Sequence, residues 1–329
     1  MKFIGSIGRR ILNAMAVLFV VIVLNFILMH LAPGDVSDVI VGEMGGASEE
    51  QILKIRAMYG LDKTMVEQLC IYLKKMVRDD LGYSYYFNMP VTDLIPPRVP
   101  ATLLLVISAL ITAVLVGAFL GVQSARDPNS LLSHAVTLLS LIGYSAPVFW
   151  IGIMLLILFA SILPIFPVSG MYDITLEGGP FTRMMDVLNH LVLPMVSLAI
   201  INLALYARLA RTSMMDVLGS DYIRTARAKG MTRNVVIYKH ALRNAILPVV
   251  TMTGLQMGQV FAGAVVVETV FNWPGLGQLA FETILRRDTP TLLGILFFST
   301  FMVVVANLTT DLSYSLIDPR IRSDRNRNA

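Results

Sequence analysis

Hydrophobic positions in this chain persist for about 20 residues at a time, the length a helix needs to cross roughly 30 Å of hydrocarbon. Six such runs occur, at residues 11–31, 101–125, 134–158, 191–209, 246–271 and 292–316. They predict an all-α integral membrane protein with six transmembrane helices. Composition agrees. Of 329 residues, 56% are hydrophobic and 15% charged, and the mean hydropathy is +0.70, too apolar for a domain whose surface faces water. The first run is longer than the apolar core of a signal peptide. The Ala32-Pro33-Gly34 that follows offers no small-x-small cleavage site, so this run is expected to be a retained anchor.

Charge placement orients the runs, because loops on the cytoplasmic side keep Lys and Arg. Lys2, Arg9 and Arg10, then Arg126, then the basic residues between Arg208 and Arg243, then Arg320, Arg322, Arg325 and Arg327 fall on one side. The short loops on the other side hold Arg183, Arg286 and Arg287. The expected order is a cytoplasmic N-terminus and first span at 1–31, an extracytoplasmic segment at 32–100, a five-helix core at 101–316, and a cytoplasmic tail at 317–329. Within the core, residues 211–245 form an inner loop.

Residues 32–100 are too long to count in the charge rule and large enough for a small helical insertion. Apolar residues there recur at three and four, Ser48 suits a helix cap, and Gly60 separates two short amphipathic helices. Cys70, the single cysteine, can form no internal disulfide, and its apolar flanks suggest plain packing.

The loop from Asp221 to Pro248 is the one long polar stretch in the second half of the chain. It reads as two short helices joined at Gly230. Met215, Leu218, Tyr222 and Ala226 share one apolar face upstream. Met231, Val235, Tyr238, Leu242 and Ala245 share another downstream, and the remaining faces are basic. Three roles fit. The loop satisfies the positive-inside rule. Arg224, Arg227, Lys229 and Arg233 suit anionic lipid head groups. The two apolar faces, the small Ala226 and Ala228 and the glycine hinge form a knob that another protein's groove could accept.

Within the spans, Gly117 with Gly121 and Gly254 with Gly258 have the spacing that lets helices pack closely. Pro147 and Pro194 are expected to kink the third and fourth runs. Glu268 and Asp311, the latter one turn after Asn307, are ionisable groups in apolar runs, suited either to structural hydrogen bonds or to lining a solute path. Gln256 and Gln259, with Thr251 and Thr253, give the fifth run a polar side that would suit a peptide backbone or another helix equally. Beyond that run, Trp273, Pro274, Gly275 and Gly277 form a turn leading into a short amphipathic helix, which is either a lid over the outer mouth or an ordinary connector.

The segment "RTARAKG" at 224–230, followed by "HALRNA" at 240–245, resembles the coupling motif of membrane subunits of ATP-binding cassette importers. The general form of that motif is Glu-Ala-Ala, three residues, then Gly. Arg224 and Thr225 stand where it has Glu and Ala, and Leu242-Arg243 stand where it usually ends in Leu-Pro. Those departures resemble the dipeptide, oligopeptide and nickel permeases. So do "APGD" at 32–35, "YGLDK" at 59–63, "DLGYS" at 80–84, "VFNWPGLGQL" at 270–279, "RRDTP" at 286–290 and "DPRIR" at 318–322. The long outer segment resembles the first of the two permeases, and "LGSDYIRTARAKG" at 218–230 is most similar to dipeptide permeases.

The resemblance implies a bacterial inner-membrane importer built from this subunit, a homologous second permease, two cytoplasmic ATPase subunits or domains and an extracytoplasmic substrate-binding protein, with membrane lipid around this subunit. It implies no nucleic-acid partner. Asp221, Arg224, Thr225, Ala226, Arg227, Ala228, Lys229 and Gly230 would couple the chain to the ATPases. ATP and Mg would be bound by those partners, since this chain has no Gly-x-x-x-x-Gly-Lys-Ser/Thr phosphate loop and needs no cofactor or metal of its own.

Other classes are weaker. The four histidines are scattered and no His-Glu-x-x-His occurs, which argues against a membrane enzyme. No filter-like loop supports a channel working without ATPases. Nickel, glutathione and opine importers of the same family remain alternatives, although the lack of a Cys-His cluster gives nickel no obvious site.

Overall fold

A computed structural model describes residues 2–31, 63–78, 80–84 and 86–317. Ser48, Gly60 and the tail beyond residue 317 lie outside the described residues. The chain divides into two compact units, one comprising Met1–Pro100 with Leu279–Thr309 and the other Ala101–Gln278 with Thr310–Ala329.

In the first unit, helix α1 (Lys2–Leu31) carries the first apolar run. Helix α2 (Met65–Val77) begins with a capping box, in which the Thr64 amide donates to Glu67 Oε2 at 3.0 Å and the Glu67 amide to Thr64 Oγ1 at 3.4 Å. These bonds from Thr64 hold the Glu67 carboxyl below its ordinary range. His30 Nδ1 donates to the Phe26 carbonyl at 2.9 Å, its Nε2 lies 2.8 Å from Gln68 Oε1, and the Tyr72 ring sits 5.9 Å from Phe26. Gln68 and Tyr72, one turn apart, therefore define the face of α2 that meets α1. Cys70 falls midway between them on the opposite side and is exposed, so the expected packing of this thiol does not occur.

A hairpin follows, β1 (Tyr83–Ser84) against β2 (Met89–Pro90), turned by Asn88 at φ 52°, then the short helix α3 (Val91–Leu94). Ser84 Oγ donates to Asp288 Oδ2 at 2.5 Å, and Thr291 Oγ1 donates to the same oxygen at 2.6 Å. Asp288 thereby starts helix α12 (Thr289–Ile317) and holds the hairpin to it.

In the second unit, helix α4 (Val99–Arg126) packs against α7 (Pro180–Leu218) through Gly117 and Gly121. A Cβ at Gly117 would lie 2.8 Å from both the Leu203 carbonyl oxygen and Tyr206 Cβ, and one at Gly121 would overlap the Ala207 carbonyl oxygen. This is the close backbone approach that the glycine spacing predicts. With 39 residues, α7 is about 58 Å long and outlasts the 191–209 run at both ends. Pro194 is buried within the continuous helix.

The third run departs from expectation. Helix α5 (Leu131–Ser145) stops, Ala146 and Pro147 are extended with ψ 135° and 140°, and α6 (Val148–Leu156) restarts before a π-helical turn (Ile157–Ile162). The two arms meet at 108°. Proline disfavours helical geometry in the residue before it and supplies no amide hydrogen, so the chain breaks here where a kink was expected. The fifth run forms α10 (Leu247–Val270), which bends by 59° between Gly254 and Gly258. Among the described residues three helices are long and apolar enough to cross a membrane unaided, Val99–Arg126, Pro180–Leu218 and Thr289–Thr309, and counting each bent pair as one span gives five. The described apolar part of α1 is the shorter stretch Leu12–Leu28.

Candidate coupling segment and outer clasp

The polar loop forms a compact angle. After α7 ends at Leu218, Ser220 opens helix α8 (Asp221–Ala228), and Gly230 turns the chain at φ +77°. A second helical stretch begins at Arg233. It is π-helical over Val235–Ala241, then passes through α9 (Leu242–Ala245) into α10. No atom lies within 4 Å of a Cβ built on Gly230. Glycine is thus required there by the left-handed backbone alone, which costs a side-chain-bearing residue about 1–2 kcal/mol.

The buried face is out of phase with the one read from periodicity. Met214, Ile223, Ala226, Val236, Ile237, Ala241 and Ala245 form one core with Val122 and Ala125 of α4, and Leu218 and Leu242 pack against it. Met215, Tyr222, Met231, Val235 and Tyr238, grouped with the core residues on the apolar faces read from periodicity, are exposed. There are two causes. The stop at Gly219 separates Met215 from Tyr222, so no single helix carries both. Downstream, π-helical bonding to the fifth residue back spaces the inward positions at four to five residues and shifts the phase. The displaced apolar side chains stay exposed on the helical stretches before and after the Gly230 turn.

Of the eight coupling residues expected from the motif, only Ala226 is buried. Asp221 and Arg224 form an exposed pair at 3.3 Å, and Thr225 Oγ1 donates to the Asp221 carbonyl. Arg227, Ala228, Lys229 and Gly230 are exposed. Three contacts have no local sequence signal, because their partners are distant in the chain. Arg233 Nη2 donates to Asp127 Oδ1 at 2.6 Å and to the Arg126 carbonyl at 2.5 Å, Gln123 Nε2 donates to Tyr238 Oη at 2.8 Å, and Asn244 Nδ2 donates to Tyr222 Oη at 2.9 Å. The first two pin the second arm to the end of α4.

At the other end of the unit, Glu268 is fully buried. Its carboxylate accepts from Thr102 Oγ1 and the Gly277 amide, each at 2.6 Å, and from the Gln278 amide at 3.1 Å. Thr102 Oγ1 in turn accepts from the Leu276 amide at 2.8 Å, and Trp273 Nε1 donates to the Ala101 carbonyl at 2.9 Å. The carboxylate caps the first turn of helix α11 (Leu276–Arg286), where the unpaired amides of a helix start favour negative charge. A Cβ on Gly275 would overlap that carboxylate, and one on Gly277 would overlap Val265 Cα.

Glu268, Trp273, Gly275 and Gly277, singled out for two different roles, thus form one clasp around Thr102, which the sequence reading missed. Pro274 is half-buried in the turn. The other polar residues do not join it. Gln256 is buried, Gln259 is exposed, and Thr251 and Thr253 bond to carbonyls of their own helix. Asn307 is exposed and belongs to the other unit, and the Asp311 side chain lies outside the described residues. Among the described residues no cluster of His, Cys, Asp or Glu could hold a metal ion.

Comparison with known proteins places this architecture. The model of the binding-protein-dependent transport system inner membrane component matches residues 113–323, and that of its N-terminal region matches residues 2–106. The chain belongs to this family of membrane subunits. It is 42% identical to a dipeptide transport system permease protein of Escherichia coli strain K12, over 91% of this chain and 93% of that one. It is 40% identical to a dipeptide transport system permease protein of Alkalihalophilus pseudofirmus, covering 95% and 98%. An oligopeptide transport system permease protein of Bacillus subtilis is 39% identical, again covering 95% and 98%. Among solved structures, a chain of the MetNI methionine ABC transporter in an inward-facing conformation matches with a TM-score of 0.54 at 16% identity, covering 68% of this chain and 96% of that one, a likeness of fold.

Proposed function

We propose that this chain is a permease subunit of an ATP-driven importer of di- or oligopeptides in the bacterial cytoplasmic membrane. It crosses the membrane six times, with both termini in the cytoplasm and residues 32–100 outside. A homologous second permease completes the solute path, two cytoplasmic ATPases bind ATP and Mg, and an extracytoplasmic binding protein delivers the peptide. The names of the relatives at 39–42% identity favour peptides over nickel, glutathione or opines.

The observation that carries the reading is the Gly230 turn. Its inner side is a dense core, while Tyr222, Val235 and Tyr238 are exposed on the arms to either side and Ala228 and Lys229 are exposed at the turn. Apolar side chains displayed beside a turn suit the groove of a soluble partner. Because the same core holds the ends of α4 and α7, displacement of the turn carries those helices with it. Closure of the ATPases thereby reaches the spans.

The test is Gly230→Val. A β-branched residue at φ +77° opens the turn at a cost of about 1–2 kcal/mol or more, although its Cβ has free space. The variant is expected to insert and to pair with the second permease, yet to lose ATPase attachment or peptide-stimulated hydrolysis. Uptake of a labelled dipeptide measured against labelled nickel tests the solute. Normal dipeptide transport by the valine variant with its ATPases bound would count against the coupling role, and uptake of nickel alone against the peptide role.

A further inference from the structure

Where the end of α4 meets the two arms of the Gly230 turn lies a cavity of about 370 Å³, lined by Arg126, Arg227 and Arg233 and by the apolar Leu218, Met231 and Ile237. Arg233 is already committed to Asp127. Among the described residues neither Arg126 nor Arg227 meets a carboxylate. Two arginines without a carboxylate partner lining one space make it electropositive, which favours an anion there. Their planar donor forks match the oxygens of a phosphate. The apolar wall, in contrast, offers nothing to a free inorganic ion and suits the glycerol and acyl portion of a lipid.

The level of the cavity in the chain supports a lipid. Arg126 is the last residue of the apolar helix α4, and Leu131 and Leu132, which open α5, are exposed, Leu131 by 88%. Leucines this exposed, five and six positions after Arg126 in the chain, suit the level where acyl chains meet head groups. We propose that this cavity binds the phosphate head group of an anionic phospholipid, with Arg126 and Arg227 on the phosphodiester and the apolar wall along the glycerol backbone. The proposal rests on the cytoplasmic placement of this loop given above. A bound lipid would fill the space between the coupling turn and the end of α4, so that a displacement of the turn presses on α4.

The test uses the assembled transporter, with the second permease and the ATPases, reconstituted in phosphatidylethanolamine vesicles with or without phosphatidylglycerol. Lipid retained after detergent release is read by native mass spectrometry. The wild type is expected to retain phosphatidylglycerol in preference to phosphatidylethanolamine. Arg126→Gln should retain about fivefold less, the effect of one basic residue at an anionic membrane surface. Arg126→Lys should lose less, and Lys239→Gln, an exposed basic residue that does not border the cavity, should match the wild type.

Equal retention of the two lipids, or an equal loss in Lys239→Gln, overturns the proposal. So does thermal stabilisation by inorganic phosphate that Arg126→Gln abolishes in the absence of phosphatidylglycerol retention, since the anion would then be soluble. ATPase co-purification is scored separately. Failure of the coupling role appears as ATPases that do not bind the wild type, whereas failure of the lipid site leaves them bound with unselective lipid.

Discussion

The hydroxyl of Thr102 donates to Glu268 at 2.6 Å while accepting from the Leu276 amide at 2.8 Å, so one oxygen joins the start of α4, the end of α10 and the start of α11. Thr102→Val preserves the shape and removes both bonds, leaving a buried amide and a carboxylate each short of a partner. It is expected to cost about 1–3 kcal/mol, and Thr102→Ser is expected to restore most of this. Glu268→Ala should cost more, because it also leaves the Gly277 and Gln278 amides without their acceptor. Thermal unfolding of the purified subunit checks the order. A valine variant as stable as the serine variant would show that the clasp holds nothing together.

Gly121 is expected to be the least replaceable residue of α4. A Cβ there would overlap the main chain of α7, which cannot move aside as a side chain can. Gly121→Val should separate the helices at a cost of about 1–3 kcal/mol. Gly8→Ala meets nothing within 4 Å and should be neutral or stabilising by up to about 1 kcal/mol. Thermal unfolding again provides the measurement, and equal effects at the two positions would remove the case for close packing at Gly121.

Tyr72 packs its ring near Phe26, but its buried hydroxyl has no hydrogen-bond partner among the described residues. Tyr72→Phe is therefore expected to leave stability unchanged or raise it by about 1 kcal/mol, whereas Tyr72→Ala should cost about 3 kcal/mol through the lost ring. Burial pushes the phenol from 10.0 up to about 12. The raised value means that the folded state favours the neutral phenol. Its contribution is full below pH 10 and is lost as the pH rises towards about 12. The phenylalanine variant should lack that alkaline loss, which a pH series of unfolding midpoints would reveal.

The apolar helices were legible because hydrocarbon imposes one crude requirement, length without charge, and apolar composition shows it directly. Geometry set by neighbours was not. Ala146 and Pro147 carry the same signal whether a proline kinks or breaks a helix, and the packing of α5 and α6 decides between them. The true length of α7 was hidden because hydropathy marks only its middle. The glycine turn at 230 was readable from local chemistry, but the faces around it were not, since the π-helical ladder from Val235 to Ala241 violates the 3.6-residue period assumed in reading them. The clasp at Glu268 was legible as an oddity, a carboxylate in an apolar run. Its meaning required Thr102, 166 positions away.

Arg233 tests whether motion of the coupling turn passes to α4 through a specific contact. From sequence it reads as one more positive charge on an exposed face, yet it bonds to Asp127 and to the Arg126 carbonyl. Both side chains of the ion pair are more than half exposed, at 56% and 58%, so solvent screens it. A double-mutant cycle between the two is expected to give less than about 1 kcal/mol of stability. The functional effect should be larger, because the contact links the arm beyond Gly230 to the turn between α4 and α5. Arg233→Asp should leave the subunit folded and its ATPases bound, while lowering the peptide imported per ATP hydrolysed. Asp127→Arg should do the same. Combining the two restores an opposite-charge pair at the same place and is expected to recover much of the lost coupling. A role confined to membrane topology predicts the same recovery, since the exchange leaves the charge of these loops unchanged from wild type and each single change alters it. The discriminating measurement is therefore orientation, read by impermeant thiol labelling of cysteines introduced on either side. If the single variants invert the chain, Arg233 acts on topology. If they keep the orientation and lose coupling, and the exchange recovers it, the pair transmits the stroke.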